Sequence, residues 1–179
     1  SRLRLLPAAK NAGYRNVSST GLQVSSWGGG VIYDQDTGLW NMYAAEITEG
    51  CGLNNWWPNS QVVWLTSPSP DGVYTRQKTV IPAFSHNPQV LRAPDRSVVI
   101  YAIGNGTLAS SDLCRNCKNG SSNVDPTRPR CAATANTTSK LNTQGVHVWR
   151  APSVAGPFRL AGTLGVEPLW DNVAPLIFS

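Results

Sequence analysis

The chain has 179 residues, of which 41% are apolar and 14% are charged. This composition supports a packed core and excludes an intrinsically disordered chain. The formal net charge of +5 comes from scattered Lys and Arg, with no basic stripe interleaved with aromatic residues, so we predict no nucleic-acid partner. No run approaches the roughly 18 apolar residues of a membrane helix, so we also predict no membrane span.

The first 26 residues are basic at the start and then polar, with no clear period. We interpret residues 1–26 as a lead-in segment, either a strand that completes another unit of the fold or an extended arm. The pattern changes at Trp27, where three consecutive glycines follow. Glycines at the start of a strand allow positive φ or close approach of a second backbone.

Residues 27–84 then read as one unit of four short antiparallel strands. Alternating apolar and polar residues separated by turn residues such as Asp71-Gly72 predict the strands. The predicted strands cover residues 31–34, 40–47, 61–67 and 74–81. A long loop, residues 46–60, connects the second strand to the third and is rich in indole and carboxamide groups.

The same pattern recurs in residues 85–170. An offset of 58 positions places His86 on Gly28 and Tyr101 on Tyr43, whereas an offset of 85 positions places Trp149 on Trp64. The larger offset indicates an insertion in the second unit, at about residues 105–144. Residues 171–179 resemble the start of a third unit.

Four antiparallel strands per repeat are typical of a β-propeller blade. We therefore predict an all-β protein, a partial propeller with two complete four-stranded blades and the start of a third. Two blades cannot close a ring, so we expect the sequence to be a fragment of a longer protein.

The insertion carries most of the features of a secreted protein. Three of the four Asn-x-Ser/Thr acceptor sites for glycosylation lie in or beside it, and so do three of the four cysteines. This combination favours a secreted glycoprotein with disulfide bonds. The acceptor sites are Asn16, Asn105, Asn119 and Asn136.

Four cysteines allow three disulfide pairings. Since equivalent loops of neighbouring blades lie side by side, we expect Cys51 to pair with Cys114 or Cys117, and Cys131 to pair with the other. The alternative is a zinc site built from Cys114, Cys117, Cys131 and His147, but His147 falls inside a predicted strand. We predict no bound metal and no cofactor.

Antiparallel connectivity gathers the chemically distinctive residues at one end of the blades. The loops after the second and fourth strands and the starts of the first strands share this end, which we call the loop end. The short Pro, Gly and Asp turns share the opposite end, the turn end. The predicted substrate-binding residues at the loop end are Trp27, Trp56, Asn59, His86, Asn87 and Asn172.

These groups suit a sugar, because aromatic rings stack on its C–H faces and carboxamides pair with its hydroxyls. Asp171, at the start of an innermost strand, is the first candidate for a catalytic carboxylate, and Glu46 is the second. Other readings stay open: Asp171 could cap a turn, Glu46 could pair with a nearby Lys or Arg, and His86 could be a hydrogen-bonded channel residue. Trp56 could pack between blades.

Several motifs together resemble the five-bladed propeller glycoside hydrolases related to family 43, in the arabinanase, levansucrase and invertase superfamily. The resemblance covers about residues 25–179 and is carried by residues 27–32, 40–46, 51–53, 59–63, 69–74, 86–90 and 171–175. It implies a five-bladed fold and a glycosidase activity.

The superfamily pattern has an Asp base at the start of the first inner strand, a second Asp, and a Glu acid in a later blade. Gly29 and Asn87 stand where inner-strand acids are expected, and only Asp171 matches in type. This departure makes the resemblance stronger support for the fold and for sugar binding than for catalysis. The leading prediction is a secreted glycoside hydrolase that cleaves plant, algal or microbial polysaccharide or its oligosaccharides. The alternatives are a non-catalytic sugar-binding propeller and an extracellular interaction module.

Overall fold

The computed structural model describes residues 13–14, 25–49, 51–110, 113–114 and 145–164. The described part is all-β apart from a 3-10 turn at Leu53–Asn55 that continues into a single helical turn at Trp56–Asn59. Neither turn is long or apolar enough to cross a membrane. The strands are β1 (Gly13–Tyr14), β2 (Ser26–Asp34), β3 (Leu39–Ile47), β4 (Ser60–Ser67), β5 (Val73–Ile81), β6 (His86–Arg92), β7 (Val98–Ile103), β8 (Val146–Ala151) and β9 (Arg159–Leu164).

Strands β2 to β5 form one antiparallel sheet in chain order, and β6 to β9 form a second. The all-β prediction and its four strands per unit are confirmed, with β2 starting five residues before the predicted position because it continues through the glycines. Gly13 and Tyr14 of the lead-in segment pair parallel with Val73 and Tyr74 of β5. At these two residues the lead-in therefore extends the first sheet rather than another unit.

The two sheets pack face to face around one apolar core, as neighbouring propeller blades do. Residues of β3, β4 and β5 supply one side of it, and β6, β7 and β8 supply the other. The buried members are Tyr43, Val62, Ile81, Val90, Val98, Ile100, Ala102, Trp149 and Val154. The opposite face of the first sheet has a smaller core of its own, formed by Ala44, Val63, Leu65 and Tyr74.

The repeat alignment is one residue out of register at the third strand of each sheet. Tyr43 lies opposite Trp64, whereas Tyr101 lies opposite Val148. If Tyr43 matches Tyr101, the equivalent of Trp64 is therefore Val148 and not Trp149. A shift of one residue moves a side chain to the other face of a sheet, so Trp64 and Trp149 lie on opposite faces of their own sheets. Since these two faces are the ones that meet, both rings pack against the core between the sheets.

The innermost strands β2 and β6 approach closely, and glycines make this approach possible. A Cβ atom on Gly30 would lie 3.1 Å from the backbone nitrogen of Val90, and one on Gly28 would lie 2.8 Å from Oδ1 of Asn87. Gly28 also has a φ of +62°, which favours glycine. The Gly-Gly-Gly run thus has the role expected from the sequence.

Ion pairs join the sheets at the turn end. Arg92 of β6 donates to the buried carboxylate of Asp34 over 2.6 Å. Asp34 also accepts a hydrogen bond from the Thr37 hydroxyl in the first hairpin turn. A second, exposed pair links Arg96 to Asp36. The turn end therefore carries structural contacts between the sheets.

The Tyr43 hydroxyl provides a test of the interface between the sheets. Its ring is fully buried, and its O–H donates to the Val154 carbonyl oxygen over 2.7 Å. Burial raises the pKa of this phenol, so it remains a donor across the ordinary pH range. We expect Tyr43→Phe to lower the free energy of unfolding by about 1–2 kcal/mol, because the buried carbonyl loses its partner.

Urea unfolding of the two proteins measures the change. The matched control is Tyr33→Phe, since Tyr33 is 45% exposed and its hydroxyl can bond to water. Equal stability of Tyr43→Phe and wild type would show that the hydrogen bond contributes nothing to the interface.

Candidate functional site

The described candidates meet at the loop end, as antiparallel connectivity predicts. Glu46 lies opposite Ser26, and Ile47 lies opposite Ser60. The Ser85 N–H donates to the Ser60 carbonyl over 2.9 Å, which ties the segment before β6 to the start of β4. The first residues of β2, β4 and β6 therefore lie at the same end as the 48–59 loop.

An aromatic cluster occupies the centre of this end. The Trp56 and His86 rings lie 4.9 Å apart between centroids, at 32° to each other. Phe84 lies 5.8 Å from Trp56 and meets Trp57 edge-on at 4.4 Å. Nδ1 of His86 is 2.8 Å from Oγ of Ser60, so a neighbouring strand holds the imidazole by a hydrogen bond.

Two further candidates lie at the starts of the innermost strands. Trp27 is 56% exposed and precedes Gly28, whose backbone lies against the Asn87 side chain. Asn87 has a φ of +48°, a left-handed conformation that Asn tolerates better than most residues. The structure thus brings Trp27 and Asn87 to the same end as Trp56 and His86.

Glu46 is buried and carries an ion pair instead of presenting an open carboxylate. Arg76 holds both of its oxygens, with Nε to Oε2 at 2.9 Å and Nη2 to Oε1 at 3.1 Å. The Gln61 amide also donates to Oε1 over 2.9 Å. A carboxylate fixed by a bidentate guanidinium is poorly placed to transfer a proton. We therefore correct the catalytic assignment of Glu46 to a structural one.

Asn59 is also a correction, because its carboxamide binds the protein's own backbone. The side chain is fully buried. Its Nδ2 donates to the Cys114 carbonyl over 2.8 Å, and its Oδ1 accepts from the Cys114 N–H over 2.8 Å. Nδ2 also lies 3.3 Å from the Thr48 carbonyl. These contacts use the groups that were expected to bind a sugar.

Cys51 lies beside the same segment, with its Sγ 3.6 Å from the Cys114 carbonyl oxygen. Both cysteines are buried at the loop end, which agrees with the expected proximity of the two loops. Cys117 and Cys131 lie outside the described residues, so the disulfide pairing stays a prediction. Within the described ranges, no group of three or more His, Cys, Asp or Glu side chains could hold a metal ion.

His147 is buried in β8, where its Nδ1 lies 2.9 Å from Oγ1 of Thr163. Its Nε2 has no hydrogen-bond partner among the described residues. Burial lowers the pKa of this imidazole, because an apolar environment disfavours the charged ring. The neutral form is therefore the one that the fold stabilises.

Several predicted site residues lie outside the described residues, namely Asp171, Asn172, Asn16, Asn119 and Asn136. Their roles remain predictions. Conversely, the sequence analysis missed Arg76, Ser60 and Phe84. A Lys or Arg partner for Glu46 was expected only in general terms, because Arg76 lies on β5, which β4 separates from the strand of Glu46. No pattern in the sequence pointed to the Ser60 contact, since it joins residues 26 positions apart.

The structural role of Glu46 can be separated from a catalytic one. We expect Glu46→Gln to lower the free energy of unfolding by about 1–3 kcal/mol, because the partly buried Arg76 loses its charged partner. We expect turnover of any substrate to stay within about a factor of two of wild type. Urea unfolding and kcat, measured on the same preparation, check both expectations.

Asp36→Asn is the matched control, because the Asp36–Arg96 pair is exposed and such pairs contribute little. It should leave stability unchanged. A stable Glu46→Gln protein that has lost its turnover would restore the catalytic assignment.

The lowered pKa of His147 predicts a dependence of stability on pH. The unfolded chain binds the His147 proton at about the ordinary pKa of 6.5, whereas the folded protein binds it only at lower pH. The contribution of His147 to the free energy of unfolding should thus be constant above pH 6.5 and should fall as the pH drops below 6.5. One proton limits the slope to about 1.4 kcal/mol per pH unit.

Urea unfolding at several pH values, in wild type and His147→Gln, measures this slope. The variant cannot titrate at this position and should lose that part of the dependence. His86 is the only other histidine in the chain, so His86→Gln serves as the comparison. Identical pH profiles for wild type and His147→Gln would contradict the prediction.

Comparison with known proteins gives matches in structure but not in sequence. No protein-family model and no curated protein sequence matches the chain. A family 117 glycoside hydrolase from the marine bacterium Zobellia galactanivorans is similar at 13% identity and a TM-score of 0.48, over 84% of this chain and 43% of that one. An exo-β-1,3-galactanase from Phanerochaete chrysosporium with bound β-1,3-galactotriose is similar at 13% identity and a TM-score of 0.47, over 86% of this chain and 29% of that one.

A family 43 β-1,3-galactosidase with galactodeoxynojirimycin is similar at 13% identity and a TM-score of 0.45, over 86% of this chain and 37% of that one. This chain therefore spans less than half the length of each of these three enzymes.

Proposed function

We propose that the protein is a secreted glycoside hydrolase of the five-bladed propeller type, which cleaves a polysaccharide or its oligosaccharides. The observation that carries the proposal is the group at the loop end, where the Trp56 and His86 rings are in contact. The exposed Trp27 and the partly exposed Asn87 lie there too, at the starts of the innermost strands. Aromatic faces and a carboxamide at one end of packed sheets suit a carbohydrate.

The proposed catalytic carboxylate is Asp171. Its support is its place in the sequence, at the start of the third unit, and its match in residue type to the inner-strand acids of the glycoside hydrolases that the sequence resembles. Glycoside cleavage requires a second carboxyl group about 5–10 Å from the first. Because Arg76 engages Glu46, we assign the second group to another part of the full protein.

A carbohydrate-binding protein without hydrolysis is the second candidate. The observation that favours it is the residue type at the innermost strand starts, where Gly29 and Asn87 stand in place of acids. This alternative keeps the same sugar site and removes the chemistry. It therefore differs from the first proposal in turnover and not in binding.

Secretion belongs to the same proposal, supported by the acceptor sites and cysteines of the insertion. Asn105 is the acceptor site that the structure describes. It is partly exposed, and its Oδ1 accepts hydrogen bonds from the Thr107 hydroxyl over 2.7 Å and from the Thr107 N–H over 3.2 Å. Neither of these hydrogen bonds uses the Asn105 side-chain nitrogen, the atom to which a glycan would be attached.

Substitution of Asp171 tests hydrolysis directly. We expect the full-length protein to hydrolyse an aryl glycoside of galactose, arabinose, xylose or fructose, and Asp171→Asn to lower kcat by roughly 10²–10⁴-fold, the usual contribution of a general acid or base. The affinity for an oligosaccharide should change little. Release of the aryl alcohol and calorimetric titration measure the two quantities.

Asp125→Asn is the matched control, since Asp125 belongs to the insertion, and it should retain wild-type turnover. Oligosaccharide binding with no turnover of any substrate would favour the binding protein. Full activity of Asp171→Asn would refute the assignment of this residue.

A further inference from the structure

The aromatic cluster at the loop end contains three mutually contacting rings that differ in burial. Phe84 is completely buried and His86 nearly so, while Trp56 remains partly exposed. The planes of Phe84 and His86 are 16° apart with their centroids 6.5 Å apart, and Trp56 lies 4.9 Å from His86 and 5.8 Å from Phe84. The indole therefore packs against two rings and keeps part of its surface exposed to solvent.

A hydrogen bond holds the ring of His86. Ser60 is fully buried at the start of β4, and its Oγ lies 2.8 Å from Nδ1 of His86 on the neighbouring sheet. The contact prevents the imidazole from turning about its own axis. The Ser85 N–H bond to the Ser60 carbonyl fixes the same two strands at the backbone level.

This arrangement differs from ordinary core packing in one respect. A purely apolar core would place an aliphatic or phenyl side chain behind Trp56, without the cost of burying polar groups. Here a buried hydroxyl and imidazole satisfy each other, and a satisfied polar pair selects one ring orientation. The fixed imidazole is one neighbour of the Trp56 indole, which also packs against Phe84 and the buried cluster of Ile47, Cys51 and Cys114.

We propose that Trp56 is the ring on which a pyranose stacks through its C–H face, and that Ser60 and His86 are positioning residues that hold the indole for it. The inference rests on the proposed carbohydrate site. It changes the role of His86 from a direct ligand to a support for Trp56. Sugar contact is thereby assigned to the partly exposed ring of the cluster.

Substitutions of Trp56, His86 and Ser60 test whether Trp56 contacts the sugar and the other two residues position it. We expect Trp56→Ala to weaken binding of β-1,3-galactotriose, or of the oligosaccharide that the activity screen selects, by about 10-fold or more, the loss of one good ring contact. His86→Ala should weaken binding by a smaller factor, and His86→Phe should restore it, because a flat ring again supports the indole. Ser60→Ala should raise KM with kcat unchanged, the signature of lost uniform binding.

Trp57→Phe is the matched control, since this neighbouring indole meets Phe84 edge-on and its Nε1 has no hydrogen-bond partner among the described residues. Binding of the sugar should quench tryptophan fluorescence in Trp57→Phe as in wild type. The quenching should be smaller in Trp56→Phe, where only the contribution of other indoles such as the exposed Trp27 remains. The fluorescence comparison applies even if an alanine variant fails to fold, because both substitutions keep an aromatic ring.

Two results would overturn the inference. One is unchanged affinity of Trp56→Ala in a protein that hydrolyses its substrate, in which case the proposed function stands. The other is a His86→Phe variant that binds as weakly as His86→Ala. Binding that depends on Trp56 in a protein without turnover would instead support the inference and reject hydrolysis.

Discussion

The packing of the two sheets against each other is the interaction on which the other features depend. Tyr43 crosses this interface to bond the Val154 carbonyl, and Trp149 fills it from the opposite side. Because the sheets are held in this register, β2 and β6 start side by side, and Gly28 lies against Asn87. The residues of the candidate site are positioned by this packing between the sheets. The site is the end of an interface whose middle is apolar.

The strands and their connections were predictable because their signals are local. Alternation of apolar and polar residues and the turn residues between them fix β3, β4, β7 and their hairpins. The register between repeats was less accessible, since Trp64 and Trp149 look equivalent in the sequence yet face opposite directions within their own sheets. Only the pairing of each strand with its neighbour reveals which face a side chain occupies.

For the candidate site, too, the sequence predicted where the residues lie but not what their side chains bind. The end of the fold at which Trp27, Trp56, His86 and Asn87 meet follows from strand direction alone. Strand direction does not show what each side chain binds. Glu46 binds Arg76, which lies 30 positions away in the sequence, and Asn59 binds Cys114, which lies 55 positions away. The location of a polar residue at the loop end therefore does not show whether its side chain is available to a ligand. The long-range hydrogen bonds decide it.

The parallel pairing of Gly13–Tyr14 with β5 has a consequence for association with other chains. β5 is the outermost strand of the antiparallel set β2 to β5, and such an edge presents N–H and C=O groups to which a foreign strand can add. The lead-in strand pairs with Val73 and Tyr74 and thereby occupies the first part of that edge. These two lead-in residues thus keep a foreign strand from pairing with the first two residues of β5.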